Sequence, residues 1–349
     1  MIGLTGFLGD VLRSNTGMRK RPYKLNFSIT DRCNSRCSNC NIWRTENSEE
    51  MSLEEIEGFF EANPYLSWIS LTGGEPFLRE DIVGIAESAF ERMEDLFLLN
   101  IPTNGFLTEE ILDRVEKIAE MDIPKIYVTV SVDGTEDVHD ELRGVDGAWK
   151  KAVKTYDGLR KLSRKYSNLG SVMTYTVHEQ NSGVFEKTVE AVDGEIGAVD
   201  FSDFNITFHH SSEHYYRNGD EVSLDRERLE SILGNYGIGI TPEEIVNLMF
   251  LFNSREELYG NRMDCVAGTD SLFMMPNGDV YPCTVLNRKL GNVLEEGMSL
   301  GKYSDRFESG GKECDGCWMP CEANQRMLAH LPESFYRFVK NYLVNRRKR

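Results

Sequence analysis

Three cysteines, at Cys33, Cys37 and Cys40, constrain this chain more than any other feature. They follow residues 25–30, where apolar side chains alternate as in a strand. Thiolates are the ligands that iron-sulfur clusters prefer, whereas structural zinc needs four protein ligands. Three closely spaced thiolates therefore favour a four-iron four-sulfur cluster with one iron left open for chemistry. A zinc site completed by a distant residue is the alternative.

Motifs suited to ligand binding follow the next three predicted strands. They are Gly73, Gly74 and Glu75 after residues 68–72, Asn104 after residues 96–102, and Ser131 and Asp133 near the end of residues 126–132. Paired glycines let a backbone approach a ligand closely, and a carboxylate can accept a hydrogen bond from an ammonium group. Because ligands collect at the carboxyl edge of parallel strands, we expect one shared site there.

The order of these motifs resembles that of the radical S-adenosylmethionine (SAM) superfamily. Arg143, in the segment VHDELRG, completes the paired SxDG and HDxxRG motifs of its SPASM and Twitch branch. The resemblance implies that the open iron of a [4Fe-4S] cluster binds the amino and carboxylate groups of SAM. It also implies reductive cleavage of SAM to methionine and a deoxyadenosyl radical that abstracts hydrogen from a substrate. An electron donor such as ferredoxin or flavodoxin would supply the reducing electron.

The resemblance also implies roles for individual residues. Arg143 would pair with the SAM carboxylate and Glu75 with its ammonium group. The remaining cofactor-binding positions would be Gly73, Gly74, Asn104, Ser131 and Asp133. Many family members carry an aromatic residue just before the third cysteine, but this chain has Asn39 there. Trp43 either takes over the contact with adenine or packs against the rim of the barrel.

Strands and helices alternate over the first 208 residues, which predicts an α/β fold. Predicted strands span residues 24–30, 68–72, 96–102, 126–132, 170–177 and 201–208; predicted helices span 52–62, 80–92, 108–121, 147–166 and 182–193. Right-handed crossovers would give a partial (β/α)6 barrel, the fold that the resemblance also implies. We predict an amphipathic segment over 1–23, a radical SAM core over 24–215, a helical bridge over 216–262, an auxiliary cluster domain over 263–330 and a basic C-terminal helix over 331–349.

Five more cysteines follow the predicted core. Cys265 and Cys283 flank an Asn-Gly hairpin signal, and Cys314, Cys317 and Cys321 come next. The pattern resembles the shortened Twitch version of the SPASM motif, which implies one auxiliary [4Fe-4S] cluster that can carry an electron away from the substrate. Cys265, Cys283 and Cys317 would be ligands, with either Cys314 or Cys321 as the fourth. A four-cysteine zinc ribbon is the alternative.

Candidate catalytic residues follow the sixth predicted strand. His209, His210 and His214 would lie near the mouth of the site, where imidazoles can orient a substrate or move a proton. A histidine-rich surface loop is the other interpretation. Asp203 is a further polar residue that would face either the barrel interior or solvent.

Charge and hydropathy limit the partners. The net charge of −18 argues against general nucleic-acid binding. Residues 1–24 nevertheless carry five basic groups and one acidic group, and residues 335–349 carry six basic groups and no acidic group. Apolar residues recur at helical spacing in both segments, so each either contacts a membrane interface or packs on the barrel. We see no membrane span or signal peptide and expect a cytoplasmic protein, peripheral membrane contact remaining open.

Together these features predict a radical SAM enzyme, either an oxidoreductase or a bond-forming enzyme. The basic amphipathic ends favour a hydrophobic or lipid-like substrate. A peptide or a soluble small molecule is the second hypothesis, and the short segment before Cys33 weighs weakly against the peptide. A non-catalytic metal-binding scaffold is a third hypothesis, which the presence of the GGEP and SxDG motifs disfavours.

Overall fold

A computed structural model describes residues 2–18, 21–45, 49–219, 229–230, 232, 242–307 and 317–348. Its strands are β1 (Lys24–Thr30), β2 (Trp68–Gly73), β3 (Leu98–Thr103), β4 (Lys125–Ser131), β5 (Leu169–Val177), β6 (Phe204–Phe208), β7 (Ser271–Met274), β8 (Asp279–Tyr281) and β9 (Gly291–Asn292). They form one sheet in the order β6-β5-β4-β3-β2-β1-β7-β8-β9. The strands from β6 to β7 are all parallel, and β8 and β9 add antiparallel pairs at one edge. The fold is therefore the open, mainly parallel sheet of a partial barrel.

Helices cover the outer face of this sheet and connect its strands. They are α1 (Ile2–Thr16), α2 (Leu53–Glu61), α3 (Ile82–Arg92), α4 (Thr108–Ala119), α5 (Glu136–Arg143), α6 (Ala148–Lys165), α7 (Phe185–Ile196), α8 (Pro242–Leu258), α9 (Val293–Glu296), α10 (Gly301–Ser304), α11 (Pro320–Ala329) and α12 (Leu331–Lys348). The predicted Ser52 and Glu55 capping box at the start of α2 is confirmed, because each side chain accepts from the other's backbone N–H.

Side chains alternate sharply between the two faces of the sheet. The outward residues Leu25, Phe27 and Ile29 of β1 are completely buried in the main hydrophobic core, as are their counterparts on β2 to β4. The inward residues of β2 and β4 are mostly polar and line a central cavity. Since side chains of a strand point alternately to opposite faces, the same strands build an apolar shell outside and a polar chamber inside.

The predicted strands and helices are largely confirmed, with two differences. Residues 201–203 form a 3-10 turn before β6 instead of the first part of that strand. Helix α5 was not predicted, because its sequence EDVHDELR has only two apolar residues and so shows little helical periodicity. His139 and Leu142 nevertheless form its buried face, and Gly144 ends it in the left-handed conformation (φ 62°).

The segment of the predicted auxiliary domain joins the main sheet. Strand β7 pairs in parallel with β1, Lys24 lying opposite Ser271. The predicted Asn-Gly turn then leads into β8, with Gly278 at φ 84°. This hairpin carries Cys265 and Cys283 to the edge of the barrel next to β1, so the two cysteine groups share one sheet.

Helix α1 covers the amino-terminal edge of the barrel. The Phe7 ring stacks on Phe97 at 5.1 Å and meets the rings of Tyr23 and Trp68 edge-on. The Asp10 carboxylate accepts a hydrogen bond from the Ser67 hydroxyl at 2.9 Å. One face of this predicted amphipathic segment therefore closes the bottom of the barrel. Its other face exposes Leu4, Leu8 and Leu12.

No helix in the described part of the chain is long and apolar enough to cross a membrane. This finding agrees with the hydropathy of the sequence, in which apolar runs stay short.

Packing of α1 predicts a clear contrast between adjacent residues. Phe7→Ala should lower the free energy of unfolding by about 2 kcal/mol, because it removes a ring packed against three aromatic side chains. Leu8→Ala, at a side chain 55% exposed, should change it by less than about 0.5 kcal/mol. Urea unfolding of the two variants measures both, and equal losses would show that α1 does not pack on the barrel.

Candidate active site

The loop with Cys33, Cys37 and Cys40 leaves the carboxyl end of β1, and the end of α5 holds it from one side. The Arg36 and Ser38 backbone N–H groups donate to the carbonyls of Arg143 (2.8 Å) and Leu142 (2.9 Å). A Cβ on Gly144 would lie 2.7 Å from the Arg36 carbonyl, so this approach requires glycine. The last turn of α5, which includes the predicted RG motif, is thus a backbone support for the cysteine loop.

Residues 209–218, which follow β6, hold the same loop from the other side. Asn218 donates from its amide to the Asn39 carbonyl at 2.8 Å, and the Asn41 N–H donates to the Tyr216 carbonyl at 2.8 Å. The Arg217 guanidinium forms an ion pair with the buried Asp31 carboxylate at 2.9 Å. This segment, called here the bridging segment (residues 209–218), was expected near the site but not as a support of the cysteine loop.

The chemistry of the three thiols suits a metal cluster. Burial raises the pKa of Cys33 and of Cys40 to about 12, with the other cysteines of the loop adding to the effect. A cationic metal centre would supply the positive charge that such thiolates lack. In the described residues no three acidic, histidine or cysteine side chains converge on one point as metal ligands. The observation that supports a cluster at these residues is therefore the presence of three thiols on one loop.

Gly73 and Gly74 are required by the packing of two backbones. Gly73 has a φ of 137°, and a Cβ there would lie 2.1 Å from the Thr30 carbonyl oxygen. A Cβ on Gly74 would lie 2.3 Å from the Arg32 carbonyl oxygen. These glycines therefore let the end of β2 lie directly against the start of the cysteine loop. Their predicted approach to a cofactor stays a prediction.

Glu75 is fully buried and occupied by internal hydrogen bonds. One carboxylate oxygen accepts from the Thr103 hydroxyl (2.8 Å) and the Phe77 N–H (3.2 Å), and the other accepts from the Asn104 N–H (2.7 Å). Burial raises the pKa of Glu75 to about 7, against the lowering effect of those hydrogen bonds. In this structure Glu75 joins the ends of β2 and β3. Its predicted contact with an ammonium group would have to use the acceptor capacity that the three internal hydrogen bonds leave on the carboxylate.

Arg143 has internal partners as well. Its guanidinium pairs with the Asp133 carboxylate at 2.5 Å and approaches the Cys37 sulfur at 3.6 Å. Burial alone would lower the pKa of Arg143, but Asp133 and Cys37 raise it. The Nε atom of this guanidinium is buried without a partner in the described residues. Arg143 therefore places a fixed positive charge next to the cysteine loop, with one donor still free.

His139, from the same HDxxRG motif, fixes Asp133. Its Nδ1 atom accepts from the Asp133 N–H at 3.0 Å, and burial lowers the pKa of this imidazole well below its ordinary value. The other Asp133 carboxylate oxygen accepts from the Thr176 N–H at 2.8 Å. A neutral His139 thus orients the carboxylate that orients Arg143. Sequence reasoning singled out Asp133 and Arg143 but not the histidine between them in the motif.

Three other predicted residues lie at the same edge. The Asn104 side chain donates to Asn34, inside the cysteine loop, at 2.6 Å. Ser131 lines the central cavity. Trp43 also lines it, and its indole N–H donates to the Cys37 carbonyl at 3.3 Å. Trp43 is therefore part of the loop's own support, in a position that also faces the cavity.

The three candidate histidines have different environments. His209 lines the cavity, and its Nε2 atom lies 3.3 Å from the Asn39 carbonyl. His210 also lines it, but burial lowers the pKa of this imidazole to about 4, which keeps it neutral. His214 stacks on Tyr281 and contacts the Cys283 carbonyl at 3.1 Å. Asp203 is not freely solvated, because it accepts from the Tyr156 hydroxyl at 2.5 Å beside the cavity.

The auxiliary cysteines gather next to β7. Burial raises the pKa of both the Cys283 and the Cys317 thiol. The charge of Cys317 raises the pKa of Cys283 further, and the charge of Cys265 raises that of Cys317. The Cys283 sulfur accepts backbone N–H groups of Val285 and Leu286. Cys321, unlike these three, lines the central cavity. Cys314 lies outside the described residues.

Two buried groups of opposite charge, Lys24 and Glu322, lie beside Cys321. The Lys24 ammonium donates to the Cys321 carbonyl and lies 4.1 Å from the centre of the Trp68 ring. The Glu322 carboxylate accepts from Ser271 (2.5 Å) and Asn26 (3.2 Å). Burial lowers the pKa of Lys24 and raises that of Glu322, and each partner's charge opposes the shift in the other. Sequence reasoning missed these two groups, because they lie far apart in the sequence and only the packing of α11 against β1 brings them together.

Many of these groups border one large cavity. It has a volume of about 1010 Å³ and runs inside the barrel from the cysteine loop towards the amino-terminal strand ends. Small-molecule sites usually have volumes of up to about 1,000 Å³, so this cavity has room for a cofactor and part of a substrate. A chamber of this size beside three cysteines is suited to a cofactor and a substrate.

Comparison with known proteins agrees with such a site. Residues 27–192 match the Radical SAM superfamily. The Bacillus subtilis (strain 168) sporulation killing factor maturation protein SkfB is 25% identical over 299 residues, 80% of this chain and 64% of SkfB. The AdoMet-dependent heme synthase of Methanosarcina barkeri is 26% identical over 302 residues, covering 80% of this chain and 81% of that protein.

A solved structure has the same fold. Streptococcus suis SuiB bound to its precursor peptide SuiA superimposes with a TM-score of 0.57 at 16% identity, covering 86% of this chain and 69% of SuiB. Residues 27–192 are thus a radical SAM domain, and the chain resembles SkfB and SuiB, which are SPASM and Twitch-type radical SAM enzymes. Members of this superfamily bind a [4Fe-4S] cluster and SAM. The chain spans about two thirds of the length of SkfB.

The buried Glu75 predicts a measurable pH dependence of stability. Between about pH 4.5 and 7 the folded protein keeps a proton on Glu75 that the unfolded chain releases, so stability falls as the pH rises through this window. The loss should reach roughly 3 kcal/mol. Glu75→Gln cannot titrate and should remove this component. Urea unfolding from pH 5 to 8 compares the two proteins, and parallel pH profiles would contradict a raised pKa.

Proposed function

We propose that this protein is a radical SAM enzyme that oxidises or rearranges a polar substrate inside the barrel. The observation that carries the proposal is the polar inner face of the sheet. Ser70 and Thr72 of β2, Asn100 of β3, and Thr129 and Ser131 of β4 all line the cavity. Thr72 bonds to the Tyr215 hydroxyl, whereas the other four side chains have no hydrogen-bond partner in the described residues, and a polar ligand would supply one.

This inner face favours a peptide or soluble metabolite over the lipid-like substrate suggested by the chain ends. An acyl chain would leave the serine, threonine and asparagine side chains unsatisfied, whereas a peptide presents its own donors and acceptors. A peptide is also supported by SuiB, which has the same fold and is seen bound to a precursor peptide. A purely non-catalytic scaffold would have no use for an open chamber of about 1010 Å³ beside the cysteine loop.

Cys33, Cys37 and Cys40 would hold the cluster, and the chain's other residues would position SAM next to it. Bound cluster and SAM would supply a deoxyadenosyl radical for hydrogen abstraction. Asp133 and His139 hold the Arg143 guanidinium at the chamber wall, where it would attract the SAM carboxylate. Gly73 and Gly74 keep β2 tight against the loop, which leaves the space above the strand ends for the cofactor.

Cys265, Cys283 and Cys317 would hold an auxiliary cluster, which would accept an electron from the substrate in an oxidation. The grouping of these three thiols supports the assignment. The fourth ligand would be either Cys314 or Cys321. Cys321 faces the chamber, so a ligand there would place the auxiliary cluster at the chamber wall.

Cysteine substitutions test the proposed function directly. Anaerobic reconstitution should give about eight irons per chain, and reduction with SAM should release deoxyadenosine. Replacing Cys33, Cys37 and Cys40 together by alanine should halve the iron content and abolish that release. Cys283→Ala should also halve the iron but leave substrate-free SAM cleavage in place. Deoxyadenosine release by the triple variant would contradict the proposal.

Membrane contact is a second candidate property, supported by exposed apolar side chains at both chain ends. On α1, Leu8 and Leu12 are 55% and 64% exposed, and on α12 Phe335 is 58% exposed. The two helices meet where Asn15 accepts from the Leu331 N–H at 3.0 Å. Such side chains can enter a lipid headgroup layer, with basic flanks adding attraction to anionic lipids.

Liposome co-sedimentation measures this property. The wild type should bind anionic vesicles at low salt and bind them less at high salt, because the basic attraction is screened. The double variant Leu12→Ser and Phe335→Ser should lose most of this binding. Leu294→Ser, at a leucine 41% exposed on α9, is the matched control and should keep it. Equal binding of all three proteins would exclude α1 and α12 as the contact surface.

A further inference from the structure

One level of the barrel interior carries an array of amide and hydroxyl groups. Asn26 pairs with Ser70 across β1 and β2, and Ser70 pairs with Asn100 across β2 and β3. Neighbouring parallel strands lie about 4.8 Å apart, so these three residues form a short row on the chamber wall. All three line the cavity. This row is called here the amide row (Asn26, Ser70 and Asn100).

The amide row has unused hydrogen-bonding capacity. Asn26 is 1% exposed, and its Oδ1 atom is buried without a partner in the described residues, although its amide nitrogen donates to Glu322. The Ser70 and Asn100 side chains make no hydrogen bond to any residue in the described part of the chain. A buried acceptor without a donor costs about 1–3 kcal/mol, which a bound ligand would offset.

The two charged groups next to Asn26, Lys24 and Glu322, are of opposite sign and already have hydrogen-bond partners. Lys24, one position below Asn26 on the inner face of β1, donates to the Cys321 carbonyl. Both oxygens of the Glu322 carboxylate are occupied, by Asn26 and Ser271. A charged group placed beside them would lose its hydration, and the counter-ion that it meets is already offset by a neighbour of opposite charge. The row is therefore suited to uncharged groups that both donate and accept.

The far side of this level is closed by an aromatic ring. Tyr127 pairs with Asn100, and the next position on β5 is Gly170. A Cβ on Gly170 would lie 2.6 Å from the Tyr127 ring, so glycine gives that ring its place against β5. The planar ring beside Asn100, at the end of the row, offers a flat surface for a planar polar group.

From these contacts we propose that the amide row is a substrate subsite that binds an uncharged amide. This inference rests on the proposed function and specifies which end of the substrate the chamber recognises. Ser70 lies three residues before Gly73, which places the row roughly 10 Å below the strand ends. The row thus binds a part of the substrate distant from the reacting atom and selects substrates by that part.

The shared chemistry has two sources, a peptide bond or a carboxamide side chain. Ligand-detected NMR titrations of the reconstituted, SAM-loaded holoenzyme would use N-acetylalanine methylamide for the first and N-acetylasparagine methylamide for the second. The aspartate analogue serves as the charged comparison. We expect at least one amide probe to bind, and the aspartate analogue to bind at least about fivefold more weakly than the asparagine probe.

Two substitutions test the row itself. Ser70→Ala and Asn100→Leu should each lower the affinity for the amide probe at least about fivefold, while the midpoint of thermal unfolding stays the same or rises. Ser88→Ala is the matched control, because Ser88 is also buried without a partner but lies on α3, outside the chamber. It should leave probe binding unchanged.

Two results would overturn the subsite. One is amide binding that is the same in the wild type, Ser70→Ala and Asn100→Leu. The other is a fall in unfolding midpoint in these variants with no specific loss of probe binding, which would mark the row as structural. Deoxyadenosine release is measured in parallel, so failure of the radical SAM function is seen independently of probe binding.

Discussion

The backbone hydrogen bonds of the cysteine loop are the interactions on which the rest of the site depends. A loop at a sheet edge has N–H and carbonyl groups that no strand satisfies, and once buried they need partners. Arg36 and Ser38 find theirs in the last turn of α5, and Asn39 and Asn41 find theirs in the bridging segment. The fixed positions of the three thiols therefore depend on two distant parts of the chain.

This dependence gives the motifs a double role. Gly73 and Gly74 let two backbones touch, Glu75 joins the ends of β2 and β3, and Arg143 carries both a guanidinium at the chamber and a carbonyl that holds the cysteine loop. Residues that would bind SAM thus also build the wall against which SAM would lie. A substitution at any of them would change stability and cofactor binding together, so the two effects need separate measurements.

Local patterns made part of this architecture predictable. The strand alternation, the Ser52 capping box and the Asn-Gly hairpin depend on neighbouring residues, and each was found from the sequence. Helix α5 was not predicted, because only two of its residues are apolar. The pairing of β7 with β1, and the contact of Asn218 with Asn39, join residues far apart in the chain. The periodicity of apolar residues in the sequence cannot predict such contacts, since they depend on how the sheet closes.

The pairing of β7 with β1 has a consequence for how the two cysteine groups work together. The bridging segment contacts the Asn39 carbonyl through His209 and the Cys283 carbonyl through His214, so one short segment touches both cysteine regions. Directly after His214, the Tyr215 hydroxyl bonds to Thr72 at 3.0 Å and its ring packs against Phe273. A segment held at both ends and in its middle has little freedom to move. The distance between the two cysteine groups is therefore set by this segment and by β1 and β7 together. A fixed distance is what electron transfer from a substrate in the chamber to an auxiliary cluster would require, because the chamber wall and the cluster ligands then share the same rigid support.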